Sequence, residues 1–191
     1  ATVCVGYNSG EDRAKAVIAS LPKGPHRAIR IVLQDMGSVA AAARAVKDAF
    51  GKLDILVNSA GFTKPIPHAD LDALDEDLFD RMLIANVRGP YSVIRAMKPL
   101  LEAGGDSLVV NVSSISGFTG SGSSIAYCAS KGALNTMTLS LARALGPAIR
   151  VNCVSPGAVA TDFVAGRDRA ALEEIAKGTP LKRVVEPEDV A

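Results

Sequence analysis

The chain has 191 residues, 48% apolar and 21% charged, and its 21 Lys plus Arg against 20 Asp plus Glu leave a net charge of +1. That length fits one domain, residues 1–191, with a sizeable core, and the charge balance offers no basic field to a phosphate backbone, which excludes a nucleic-acid partner. No apolar run approaches the roughly 18 residues of a membrane span, which excludes a membrane-embedded chain.

Short β-branched runs alternate with stretches of helical period. In chain order the strands are expected at Thr2–Val5, Ala28–Leu33, Leu53–Val57, Ser107–Val112 and Ile149–Val154. They are nearly continuous apolar runs, as parallel strands covered on both faces require. Helices are expected at Glu11–Leu21, Ser38–Phe50, Asp75–Leu101 and Ser124–Leu145, with Ser9 and Ser38 as N-caps and Gly51 as a stop. The β-α-β-α order specifies an α/β fold, a doubly wound parallel sheet of the Rossmann-like kind. Cys4, Cys128 and Cys153 form no CxxC pair. With no signal-peptide pattern in Ala1–Val5, they read as reduced thiols of a cytoplasmic protein.

In such sheets ligands bind beyond the carboxyl ends of the strands. Three consecutive strands here end in small or polar residues: Asn58-Ser59-Ala60-Gly61, Asn111-Val112-Ser113-Ser114 and Ser155-Pro156-Gly157-Ala158-Val159-Ala160-Thr161. One such loop is routine turn chemistry; three suggest a shared site. Tyr127 and Lys131, four apart, share a helix face. A nearby ammonium favours the phenolate, so Lys131 is expected to lower the tyrosine pKa toward a useful acid/base range. An isolated YxxxK is weak, since a snorkelling lysine on an amphipathic face gives the same pattern. Ser114, at a strand end thirteen residues before Tyr127, strengthens it, as does Asn86, which sits at a costly mid-helix position just before Gly89-Pro90.

Together, Asn58-Ser59-Ala60-Gly61, Asn86, Ser114, Tyr127-xxx-Lys131, Pro156-Gly157-xxx-Thr161 and the terminal Pro187–Ala191 resemble a classical short-chain dehydrogenase/reductase, and are similar to its 3-oxoacyl-carrier-protein reductase branch. The resemblance implies a catalytic tetrad of Asn86, Ser114, Tyr127 and Lys131 and an NAD(P) cofactor. Tyr127 would exchange a proton with the substrate oxygen while hydride moves between substrate carbon and nicotinamide. Ser114 would hold that oxygen, Lys131 would bind the nicotinamide ribose, and the backbone near Asn86 would hold a water. Asn8, Asp35, Met36, Asn58, Ala60, Gly61, Pro156, Gly157, Val159 and Thr161 would line the cofactor along with Tyr127 and Lys131.

Two departures stand out. Ser59 replaces an asparagine of the family motif. The family's first strand and glycine-rich phosphate loop have no counterpart, so the chain is expected to be part of a longer protein, with strand edges left unpaired at the centre of an incomplete sheet. The turn Gly6-Tyr7-Asn8-Ser9 carries no acidic residue to hold a 2′-hydroxyl, so a 2′-phosphate meets no repulsion, which favours NADP with NAD as the alternative, although no arginine stands there to bind that phosphate. A serine hydrolase is excluded: no GxSxG occurs, and His26 and His68 both precede Ser114. Neither histidine has a neighbour at metal-site spacing, so no metal is expected. The remaining rival is a non-catalytic dinucleotide-binding or scaffold member of the same fold. Apolar stripes at Leu78, Met82, Ala85 and Val93, at Phe79, Leu83 and Val87, and at Leu134, Met137, Leu141 and Leu145 predict a homo-oligomer, a tetramer or a dimer.

Overall fold

The computed structural model describes residues 1–191. Its elements run β1 (Cys4–Tyr7), α1 (Glu11–Ser20), β2 (Arg27–Arg30), α2 (Met36–Phe50), β3 (Ile55–Asn58), α3 (Glu76–Leu83), a π-helical turn (Ile84–Arg88), α4 (Gly89–Gly104), β4 (Ser107–Val112), α5 (Ser116–Thr119), α6 (Ile125–Leu145), β5 (Ile149–Val154) and α7 (Arg169–Lys177). All strand pairs are parallel, in the orders β1-β2 and β3-β4-β5. No hydrogen-bonded ladder joins β1 to β3, so the strands pair in two groups. On β3, Ile55 and Val57 stay exposed, the apolar signature of a strand covered on only one face.

One core holds both groups. Val39, Ala42 and Val46 of α2 recur at helical spacing, as do Val93, Ile94, Met97, Leu100 and Leu101 of α4. These two stripes pack on Val109, Ile149 and Val151, with Cys4, Ile29 and Leu56 against the same cluster. The helices thereby bridge what the strands do not.

Helix ends differ from the expectation in instructive ways. Gly10, not Ser9, precedes α1. Asp35 caps α2 by accepting from Gly37 N at 2.8 Å, while Ser38 instead accepts from Val32 N at 2.9 Å, closing the end of β2. Gly51 stops α2 in the left-handed conformation (φ 71°), as expected. The single helix expected over Asp75–Leu101 is three segments, α3, the π turn and α4. Pro90 has no N–H to give the carbonyl of Asn86 four residues back, so a regular α-turn cannot close there and the wider turn takes its place.

Candidate active site

The carboxyl ends of β3, β4 and β5 open into a cavity of about 680 Å³. Ser114, Tyr127 and Lys131 line it, with Gly61, Pro156, Gly157, Val159 and Thr161 from the other strand-end loops. The loops therefore do form one shared site.

Local chemistry fixes the central helix. Ser124 caps α6, its Oγ accepting from Tyr127 N at 3.3 Å, so the tyrosine sits in the first turn. Lys131 is one turn further on, and its Nζ donates to the carbonyl of Val112 at the end of β4 at 2.8 Å. Ser113 Oγ returns a hydrogen bond to the Lys131 carbonyl at 3.2 Å. The two bonds lock α6 against β4. The ammonium lies 5.6 Å from the Tyr127 ring centre.

Asn86 is buried in the π turn, outside the cavity wall. Its Oδ1 accepts from Phe62 N at 2.7 Å, and its Nδ2 donates to Phe62 O at 2.9 Å and to Ser130 Oγ at 3.0 Å. Ser130 in turn donates to the carbonyl of Tyr127 at 2.8 Å. One side chain thus ties the loop after β3 to the helix turn between Tyr127 and Lys131. Asn58 has a similar bracing place: its Nδ2 donates to Asn111 Oδ1 at 2.9 Å, and Asn111 donates on to Thr138 Oγ1 at 2.9 Å.

The electrostatics differ from the sequence expectation. Burial pushes the Tyr127 phenol above its ordinary pKa; the Ser114 hydroxyl and the Arg167 charge pull it the other way but do not prevail. Burial also holds Lys131 down to about 8, with the Cys153 thiol opposing. The lysine is too desolvated to be the strong acidifier that spacing alone suggested, because the ring and ammonium share one low-dielectric pocket.

Asn8 and Ala60 lie on a second cavity, of about 370 Å³, at the ends of β1 and β2, which meets the first at Gly61. Asp35 and Met36 line neither, and the Asp35 carboxylate is occupied as the α2 cap. One residue missed from the sequence stands at this end. Parallel pairing sets Tyr7 opposite Arg30, and Arg30 Nε donates to the Asn8 carbonyl at 3.3 Å. An arginine therefore does reach the turn after β1, which corrects the expectation; it comes from the neighbouring strand, 22 residues along the chain. Phe163, in the Asp162–Gly166 segment that the sequence placed at the substrate pocket, lines the cavity with its ring 6.0 Å from that of Tyr127.

Comparison with known proteins bears on the family and the fold. The family model described as enoyl-(acyl carrier protein) reductase matches residues 1–191. A Streptomyces violaceoruber protein, provisionally named ketoacyl reductase 2 of the granaticin polyketide synthase, is 43% identical over 165 residues, covering 84% of this chain and 66% of its own length. The 3alpha-hydroxysteroid dehydrogenase of Mediterraneibacter gnavus is 37% identical over 160 residues, 83% of this chain and 63% of that protein. The crystal structure of a dehydrogenase/reductase from Sinorhizobium meliloti 1021 superposes with a TM-score of 0.87 at 32% identity, over 99% of this chain and 74% of its own. The chain spans about two-thirds of the length of these two curated relatives.

Proposed function

The chain belongs to the short-chain dehydrogenase/reductases, and on that premise we propose that the protein transfers hydride between a nicotinamide cofactor and a ketone or secondary alcohol. The observation that carries this reading is the meeting of Ser114, Tyr127 and Lys131 in the wall of one cavity at the strand ends. The residues present fit the cofactor. Small residues, Gly61, Pro156 and Gly157, leave backbone groups open to a flat ring, and Lys131 spends one N–H on Val112, keeping two for ribose hydroxyls. The bound cofactor supplies or accepts the hydride.

The chain's own residues manage the oxygen and the proton. Ser114 holds the substrate oxygen by a hydrogen bond that strengthens as negative charge develops there. Tyr127 keeps its proton at neutral pH, since burial raises its pKa, and gives that proton to the oxygen during reduction. Asn86, through Phe62 and Ser130, fixes the height of the tyrosine against the loop after β3.

NADP is the favoured cofactor. The turn after β1 has no carboxylate, Glu11 beyond it is paired with Lys15, and Arg30 brings a guanidinium to Asn8 where a 2′-phosphate needs one. A cytoplasmic setting accords with three free thiols. No helix is long and apolar enough to cross a membrane.

The test is the full-length protein assayed with NADPH and NADH on a panel of ketones, beside Tyr127→Phe. The variant is expected to bind cofactor normally and to lose far more than tenfold in kcat, a barrier increase above about 1.4 kcal/mol. Retention of more than a tenth of the wild-type kcat would remove Tyr127 from the proton-transfer role.

A further inference from the structure

The wall of the catalytic cavity carries two charged side chains, Lys131 and Arg167, and no carboxylate. Lys131 gives one N–H to Val112 and, on the hydride-transfer reading, the other two to the cofactor ribose. Arg167 is half-buried, its guanidinium makes no hydrogen bond, and it belongs to none of the chain's ion pairs. It lines the same cavity as Tyr127, and its charge draws the phenol pKa down against the larger effect of burial. Of the acidic residues along this segment, Asp168 caps α7 through Ala171 N at 2.8 Å, Glu186 holds Arg169 at 2.6 Å, and Asp162 is exposed and does not line the cavity. A half-buried guanidinium in the wall of a cavity without a counter-charge is a cost that an anionic ligand removes. Among the serines and threonines of that wall, Phe163, Val164, Ile115 and Ile175 supply an apolar surface for a hydrocarbon body.

We infer that Arg167 recognises a carboxylate on the substrate, so that this site takes ketones, and the matching alcohols, with a hydrocarbon body and a carboxylate beyond it. The inference rests on the hydride-transfer reading above and narrows it to a substrate class. A single guanidinium fork matches a monoanionic carboxylate, whereas a dianionic phosphate ester calls for a second cation, and the only other one lining the cavity is occupied.

The probes are levulinate and benzoylpropionate, each beside its methyl ester, which keeps the ketone and deletes the charge. Binding is measured by calorimetry on the full-length protein, and turnover is followed with NADPH, for wild type, Arg167→Leu and Arg167→Lys. The wild type is expected to bind the acids about tenfold more tightly than the esters. Arg167→Leu should equalise the two by raising KM for the acids, with kcat changing alike for acid and ester, and Arg167→Lys should restore part of the preference. Equal binding of acid and ester by the wild type overturns the inference, as does a preference that survives in Arg167→Leu. A loss of NADPH affinity in Arg167→Leu equal to its loss of acid affinity overturns it too, since the arginine would then serve the cofactor phosphates. Reduction of esters and acids alike leaves hydride transfer standing and sinks the carboxylate. Acid binding through Arg167 with no ketone reduced sustains the anion site and sinks hydride transfer.

Discussion

Lys131 illustrates how much a single buried group depends on its surroundings. It is 4% exposed, and one backbone carbonyl is its only hydrogen-bond acceptor. Its pKa falls from 10.5 in the unfolded chain to about 8 in the fold. Between those values the unfolded state holds the extra proton, so this group's contribution to stability rises with pH across that window. The full swing is about 3 kcal/mol. Wild type and Lys131→Met, compared by urea unfolding at pH 7, 8, 9 and 10.5, should therefore converge or cross in favour of the wild type as pH rises. A gap between the two that is constant with pH would show that the ammonium is solvated in the fold. The same calculation explains why sequence spacing overstated the lysine's effect on Tyr127. Helical periodicity tells which side chains meet; it does not tell how much water remains around them.

At the scale of elements, the site depends on a close approach of α5 to α6. A Cβ placed on Gly117 would stand 2.6 Å from the Lys131 carbonyl carbon and 2.7 Å from Gly132 N, both backbone atoms that cannot yield without moving a helix. Gly117→Ala is expected to push α5 from α6, cost about 2 kcal/mol of stability, and lower kcat by displacing Ser114 from Tyr127. Thermal unfolding and steady-state kinetics check both effects, and an unchanged kcat with unchanged stability would mean the helices can slide apart freely. Elements of this kind were unequally legible. β4 and β5 match their expected ranges residue for residue; β4 is covered on both faces and leaves a nearly continuous signal, whereas β5 exposes Arg150, Asn152 and Val154 and alternates. Asn86 was legible as an anomaly, a poor helix former in a helical stretch, but its partners Phe62 and Ser130 lie 24 and 44 residues away. No local pattern encodes such distances. Arg30 escaped for the same reason, since only strand pairing brings it to Asn8.

On the scale of the whole molecule, the apolar stripes that predicted self-association are mostly used at home. Leu78 and Met82 pack with Ile66, Ala126 and Tyr127, and Val93 lies in the main core. Leu134 is buried as well, and Leu141 and Leu145 pack against the same core. Length and doubled periodicity therefore overstated the surface left for a partner, because α3 and α6 cover one another across the site. What remains outward on the two long helices is Leu139 and Ile125 on α6, 61% and 37% exposed, and Tyr91 on α4, 43% exposed. Burying such side chains is worth about 1.5–3 kcal/mol each, and a symmetric interface counts each of them twice. Self-association through these two helices thus remains the expected state of the full-length protein, and it would also brace the helix that carries Tyr127 and Lys131. Light scattering at micromolar concentration should give a dimer or tetramer, and Leu139→Glu should shift it toward monomer with a lower Tm and reduced turnover. A wild-type monomer with full activity would refute the coupling; an oligomer indifferent to Leu139→Glu would move the interface to another face.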